Sequence, residues 1–104
     1  MKRFGFMMKL KPDFRDEYIR CHAAIWPELK DLIRKTGVSD YTIFVDESSN
    51  TLFAFQKKSV ETSTQDLGYE PMVQKWWAYM ADITESNPDN SPVTIPLAEV
   101  FHMD

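Results

Sequence analysis

The sequence predicts an α+β fold in which strands and helices follow the ferredoxin-like order βαββαβ. Apolar side chains alternate, as they do in half-buried strands, over residues 2–10, 40–46, 52–56 and 95–103. They recur at helical spacing over residues 12–36 and 71–83. Helices in this order cover one face of an antiparallel sheet, and a second copy of the chain is the expected cover for the other face. The predicted assembly is therefore a dimeric α+β barrel.

The length and the net charge of the chain limit the classes of function that it can have. The 104 residues fit one compact domain spanning residues 1–104, and an aromatic content of 13% supplies enough large side chains for a packed core. The formal net charge is −4, and the lysines and arginines are scattered along the chain. A nucleic-acid binder needs a massed basic surface, so we expect no nucleic-acid partner.

Cysteine content and the start of the chain bear on location. Cys21 is the one cysteine, which excludes an internal disulfide and any multi-cysteine metal site and suits a reducing compartment. Lys9 and Lys11 interrupt the apolar start before a signal peptide could form, and no apolar stretch is long enough to span a membrane. A cytoplasmic location without membrane attachment is the prediction.

The first half of the chain is predicted to form one strand followed by a broken helix. The strand at residues 2–10 directs four apolar side chains to one side: Phe4, Phe6, Met8 and Leu10. Pro12 is well placed to open a helix, whose one face would carry Phe14, Tyr18, Cys21 and His22. Pro27 lacks the amide hydrogen that a helix interior needs, so we expect a break near Trp26 and an end at Gly37.

The second half is predicted to form a hairpin, a helix and a last strand. Residues 40–46 and 52–56 alternate on either side of a polar turn. Residues 57–70 are weakly patterned and form a short helix or loop, residues 71–83 form a helix, and residues 87–92 form a loop with two prolines. A strand is predicted over residues 95–103, because alternate positions there carry the apolar residues Leu97, Phe101 and Met103 and would point to the same face.

His22 is the first candidate for proton transfer, because imidazole is the side chain whose ordinary pKa lies near neutrality. Tyr18 is four residues earlier and therefore one helical turn away on the same face. Its hydroxyl could hold a substrate hydroxyl or orient the imidazole. A capping or surface histidine and a tyrosine packed at the edge of the core are the alternatives.

Three other aromatic residues are candidates for a binding pocket. Trp76 and Trp77 are adjacent on a helix, so their side chains point about 100° apart and cannot share one narrow buried stripe. We expect one of them to face a cleft or an interface, with core and dimer packing as the alternative. Tyr41 starts the second strand and either points its hydroxyl into a cleft or packs on the sheet. Trp26, beside Pro27, is predicted to be structural.

Polar groups elsewhere carry weaker signals. The loop at residues 87–92 offers amides and a carboxylate suited to binding hydroxyl groups, although ordinary turn chemistry also explains it. Two separated histidines make a poor metal site, and three glycines provide no phosphate-binding loop, so no metal site is predicted. His102 lies close to Asp104 and is expected to be a satisfied surface or interface group.

Several of these residues occur together in a recognisable order. They are Glu17-Tyr18, Arg20, His22, Ile25-Trp26-Pro27-Glu28-Leu29, Trp76-Trp77, Asn87-Pro88-Asp89-Asn90-Ser91-Pro92 and Glu99-Val100-Phe101-His102. In order and spacing this set resembles the L-rhamnose mutarotase family. The combination of the tryptophan-proline-glutamate motif, the double tryptophan and the Asn-Pro-Asp-Asn-Ser-Pro loop is far more specific than any one of them.

The resemblance implies a ferredoxin-like homodimer with no metal or organic cofactor, which interconverts the α and β anomers of L-rhamnopyranose. It implies that His22 is the proton donor, that Tyr18 and Tyr41 bind the sugar, and that Trp76 and Trp77 form part of the pocket. The chain departs from the family pattern over Gln56–Glu70, at Cys21 and at Ala23-Ala24, which concerns substrate preference rather than the reaction.

Two other functions remain open at this point. A dimeric α+β barrel monooxygenase would use the tryptophans to line an aromatic pocket, and a non-enzymatic sugar-binding module would bind the sugar without turnover. Within the mutarotase hypothesis, the group that takes the anomeric proton is undecided between Tyr18, the loop at residues 87–92 and a water.

Overall fold

The computed structural model describes residues 2–59 and 67–104. Within them lie four strands and three helices, in the order β1 Lys2–Lys9, α1 Arg15–Ala23, α2 Pro27–Lys35, β2 Val38–Asp46, β3 Thr51–Lys58, α3 Pro71–Met80 and β4 Thr94–Leu97. The strands form one antiparallel sheet in the order β2-β3-β1-β4. This arrangement confirms the predicted α+β, ferredoxin-like fold.

Strand β1 lies inside the sheet and sets the two faces. Phe6 pairs with Ala54 of β3 and with Pro96 of β4. Phe6 and Met8 are buried against the helices together with Leu52, as the alternation predicts. The core therefore lies between one face of the sheet and the three helices.

The first helix begins three residues later than predicted. Pro12 and Asp13 form a turn, and Asp13 has a φ of 70°, a left-handed conformation that a right-handed helix cannot include. Helix α1 starts at Arg15 instead. The predicted break is confirmed, because Pro27 is the first residue of α2 and Gly37, with a φ of 95°, follows its end.

The hairpin β2–β3 is confirmed and is longer than predicted. Its pairing is interrupted between Ser39 and Thr42, where Asp40 has a φ of 50°. Helix α3 ends at Met80, earlier than predicted, although Ile83 beyond it is buried. Of the segment 57–70, for which a short helix or loop was predicted, residues 57–58 belong to β3 and residues 60–66 lie outside the described residues.

The predicted strand over residues 95–103 is wrong at its far end. Strand β4 ends at Leu97, which pairs with Gly5, and residues 98–104 have no regular structure. Phe101 and Met103 are each 79% exposed. Phe101 and Met103 do not pair with a strand of the described chain, because the tail leaves the sheet after Leu97. The ion pair between Arg3 and Glu99 holds the start of the tail beside β1.

The face of the sheet away from the helices is apolar and open in the single chain. Phe44, Phe55 and Ile95 are 61%, 44% and 54% exposed on this outer face. None of the helices in the described ranges 2–59 and 67–104 is long and apolar enough to cross a membrane.

Candidate active site

A cavity of about 620 Å³ opens beside the helices. Its wall is mostly apolar and is built from α1, α2, α3 and the neighbouring strands. The five residues predicted from the sequence all line it: Tyr18, His22, Tyr41, Trp76 and Trp77. The structure thus brings the candidates together in one place, and their roles in binding and catalysis stay predictions.

Tyr18 and His22 lie one turn apart on α1, as their spacing requires. Their rings stack with centroids 4.2 Å apart and planes inclined by 27°. The Nδ1 atom of His22 lies 3.2 Å from the backbone carbonyl oxygen of Tyr18. A carbonyl oxygen only accepts hydrogen bonds, so Nδ1 carries the proton and neutral His22 has its lone pair on Nε2.

Burial sets the protonation states of this pair. Loss of solvent lowers the pKa of His22 below its ordinary 6.5, and the hydrogen bond to the Tyr18 carbonyl opposes this only in part. The imidazole is therefore neutral at pH 7. Burial also raises the pKa of the Tyr18 phenol, and the nearby Tyr41 phenol raises it further. Tyr18 consequently keeps its proton and offers a hydrogen-bond donor to the cavity.

Trp76 joins the imidazole to a larger aromatic cluster. Its ring meets that of His22 edge to face at 5.4 Å and that of Trp26 in the same way at 5.1 Å. Tyr79 contacts both indoles, at centroid distances of 5.7 and 5.8 Å. Trp26 thus holds Trp76 in place, as its predicted structural role requires, and Trp76 in turn limits the positions open to His22.

Both adjacent tryptophans face the cavity, where helical spacing alone predicted a cleft or an interface for one of them. Trp76 and Trp77 are each 9% exposed, and both contribute to the cavity wall. They occupy two flanks of α3: Trp76 packs towards α1, whereas Trp77 packs on Gly68. A Cβ atom on Gly68 would lie 2.8 Å from Cζ3 of Trp77, so the glycine makes room for the second indole.

Two segments with unusual backbone bring polar groups to the cavity. Tyr41 follows the left-handed Asp40 in the irregular part of β2 and is half-buried, 6.5 Å from the ring of Phe6. The turn at residues 86–92 contributes Asn90 and Pro92. The sequence analysis named the loop at residues 87–92 as a possible binder of hydroxyl groups, but it gave Asn90 no role of its own. An asparagine is common in turns, so its presence there did not mark it as a cavity residue.

Sequence reasoning missed the wall that α2 and the residues just before it contribute. Ile25, Leu29 and Ile33 line the cavity, as do Lys30 and Arg34. The signal was present in the helical spacing of the apolar residues, which equally predicts ordinary core packing.

His102 takes no part in this site. It is exposed, and its Nε2 atom lies 2.8 Å from the carboxylate of Asp104, which confirms the predicted surface role. Cys21 is buried beside the hydroxyl of Tyr79, 3.7 Å away. Over residues 2–59 and 67–104, no three histidine, cysteine, aspartate or glutamate side chains are grouped to hold a metal ion.

Comparison with known proteins gives one consistent answer. A family model described as L-rhamnose mutarotase matches residues 3–103. Two proteins named L-rhamnose mutarotase, from Bacteroides thetaiotaomicron and Phocaeicola vulgatus, are each 64% identical over 104 residues, with both chains covered completely. The crystal structure of L-rhamnose mutarotase FA22100 from Formosa agariphila superimposes with a TM-score of 0.93, at 51% identity over 100% of both chains.

Proposed function

Because the chain belongs to the L-rhamnose mutarotase family, we propose that it is an isomerase that interconverts the α and β anomers of L-rhamnopyranose. The whole chain, residues 1–104, acts as one mutarotase domain. The observation that carries the proposal is the position of His22, a neutral imidazole in a cavity walled by tryptophans, whose Nε2 atom has no hydrogen-bond partner among residues 2–59 and 67–104.

The cavity wall suits a deoxy sugar. Indole faces stack well on the apolar face of a pyranose ring, and Trp76 and Trp77 supply two of them. The methyl group that rhamnose carries at C6 needs an apolar surface, which Ile25, Leu29 and Ile33 provide. Tyr18 and Tyr41 add hydroxyl groups that hydrogen-bond the sugar.

The reaction needs one proton moved between two oxygens of the same carbon. Neutral Nε2 of His22 takes the proton of the anomeric hydroxyl as the bond between C1 and the ring oxygen breaks, and the resulting imidazolium gives that proton to the ring oxygen. The open aldehyde rotates about C1–C2, and the reverse steps close the other anomer. His22 is thereby the proton donor that the family resemblance implies, and it also takes the anomeric proton.

The Nδ1 hydrogen bond makes this cycle repeatable. Because the Tyr18 carbonyl holds Nδ1–H in both protonation states, the ring does not need to flip between turnovers. The protonated Tyr18 phenol is a donor for the oxygen that carries developing negative charge. The proposed steps use side chains of the protein and no cofactor.

Exchange NMR of the anomeric protons of L-rhamnose tests the proposal. We expect the wild-type protein to accelerate exchange and His22→Ala to lose about 10²- to 10⁴-fold in rate, the usual worth of general acid–base catalysis. His102→Ala is the matched control, since His102 is exposed and is not among the residues that line the cavity. Equal rates for wild type and His22→Ala would remove His22 from the mechanism, and rhamnose binding without acceleration would indicate a sugar-binding module.

We also propose that the protein is a homodimer, in which the outer face of the sheet is covered by a second copy. Exposed Phe44, Phe55 and Ile95 form an apolar surface larger than isolated surface residues explain. The apolar tail residues Val100 and Phe101 line a groove together with Phe44 and Phe55 and are also exposed. Sedimentation of the purified protein tests this assembly.

A cytoplasmic location completes the proposal. Cys21 is a buried free thiol, which is compatible with a reducing compartment. Cell fractionation followed by immunodetection tests it, and recovery in a secreted or envelope fraction would contradict it.

A further inference from the structure

The turn at residues 86–92 is closed by its own hydrogen bonds. The Asn90 backbone N–H donates to the Asn87 carbonyl oxygen at 2.9 Å, and the Asn87 N–H donates to the Ser91 carbonyl oxygen at 2.8 Å. The carboxylate of Asp89 accepts hydrogen bonds from the backbone N–H and the hydroxyl of Ser91. The side-chain amide of Asn87 donates to the same hydroxyl at 3.0 Å.

The turn is also fixed to the rest of the fold. The Glu85 N–H donates to the Lys9 carbonyl oxygen at 2.9 Å, which ties the start of the turn to β1. The Val93 N–H donates to the Glu85 carbonyl oxygen at 3.0 Å, which closes its base. The hydroxyl of Thr84 donates to the carbonyl of Met80 at the end of α3. The turn therefore keeps a set position relative to the tryptophans of α3.

Asn90 differs from the other polar residues of this turn. Side chains of Asn87, Asp89 and Ser91 are used to close it, whereas the amide of Asn90 has no hydrogen bond to any residue in the described part of the chain. Asn90 nevertheless lines the cavity that contains His22. Its left-handed backbone, with a φ of 71°, is a conformation that asparagine tolerates well. That tolerance accounts for an asparagine at this backbone position, and the exposed side-chain amide stays open to a ligand in the cavity.

We propose that the side-chain amide of Asn90 binds ring hydroxyl groups of the sugar away from C1, and this proposal rests on the mutarotase function. His22 serves the anomeric centre, the indoles serve the apolar face, and Tyr18 and Tyr41 bind part of the hydroxyl groups. Asn90 adds a side-chain amide to the same cavity lining. An amide presents a donor beside an acceptor, and two neighbouring hydroxyls, each a donor and an acceptor, match both. Asn90 thus fixes the orientation of the ring and contributes to substrate preference.

The variant Asn90→Gly separates the amide from the backbone, because glycine keeps the left-handed conformation. We expect KM for L-rhamnose to rise about three- to tenfold, the loss of one or two ligand hydrogen bonds, with kcat unchanged. Asn50→Gly is the matched control: Asn50 is also left-handed, with a φ of 54°, and sits in the β2–β3 turn outside the cavity lining. It should leave KM at the wild-type value, and both variants should keep the wild-type Tm.

Three results would overturn the assignment. They are an unchanged KM in Asn90→Gly, an equal rise in Asn50→Gly, and a fall in kcat at constant KM, which would identify a transition-state contact instead. These results leave the mutarotase function standing if the wild type accelerates exchange. If the wild type does not, calorimetric titration with L-rhamnose decides separately: weaker binding in Asn90→Gly supports the sugar contact, and equal or absent binding removes it.

Discussion

The acid side of the pH–rate profile tests the state of His22 directly. In the proposed cycle only the neutral imidazole takes the anomeric proton, so kcat/KM follows the neutral fraction of His22 in the free enzyme. Burial beside Tyr18 and Trp76 lowers the pKa of His22 below 6.5. The neutral form therefore persists to lower pH than it would for an exposed histidine, and kcat/KM declines only as the pH falls below 6.5.

The size of the effect can be bounded. At pH 6.0 a histidine of ordinary pKa would be neutral in about a quarter of the molecules, so kcat/KM should retain more than about a quarter of its plateau value at pH 8. The pKa values of two neighbouring groups are shifted away from this range. The pKa of Glu17 is lowered by its bond to Arg20, and the pKa of Tyr18 is raised by burial.

Saturation transfer between the anomeric protons measures this profile at low buffer concentration, after subtraction of the spontaneous rate at each pH. His102→Ala should reproduce the wild-type curve, because its imidazole is exposed and paired with Asp104. Activity that increases towards acid would show that the imidazolium acts first. A loss of more than about three quarters of the plateau value by pH 6.0 would show that the pKa of His22 is not lowered.

Two further changes test the packing and the assembly. Gly68→Ala should lower the free energy of unfolding by about 1–3 kcal/mol in thermal or urea denaturation, because the new Cβ would lie 2.8 Å from the buried Trp77 ring. Gly5→Ala is the milder control, since a Cβ there would lie 3.3 Å from its nearest neighbour. Equal losses in the two variants would contradict the reasoning. Phe55→Asp should turn the proposed dimer into a monomer in sedimentation by placing a charge on the outer face of the sheet, whereas Tyr69→Asp, at an exposed position in the 68–70 turn region before α3, should sediment as the wild type does. A Phe55→Asp protein that sediments like the wild type would move any dimer contact elsewhere.

Local rules predicted most of the fold because they act within a few residues. The break between α1 and α2 follows from the missing amide hydrogen of Pro27, and the end of α2 follows from the left-handed Gly37. The predictions that failed depend on distant partners. Alternation in residues 98–103 looks like a strand, but the pairing of β4 with β1 stops at Leu97, opposite Gly5.

The candidate site divides in the same way. Helical spacing alone placed Tyr18 beside His22, and the structure shows the stacked pair. Spacing could not show that Gly68 makes room for Trp77 and thus lets both tryptophans reach one cavity. Nor could it assign the amide of Asn90, because an asparagine in a turn satisfies the backbone whether or not its side chain meets a ligand.

The aromatic wall links binding to proton transfer. Tyr18 and Trp76 flank the imidazole at centroid distances of 4.2 and 5.4 Å, and the solvent they exclude is the cause of the lowered pKa of His22. The same exclusion makes an apolar pocket into which a pyranose face can stack. Because a hemiacetal opens with modest help, one neutral imidazole suffices where harder reactions need several charged groups. A substitution that opens this wall, such as Trp26→Ala, would therefore be expected to weaken sugar binding and to move the acid limb of the pH profile towards 6.5 together.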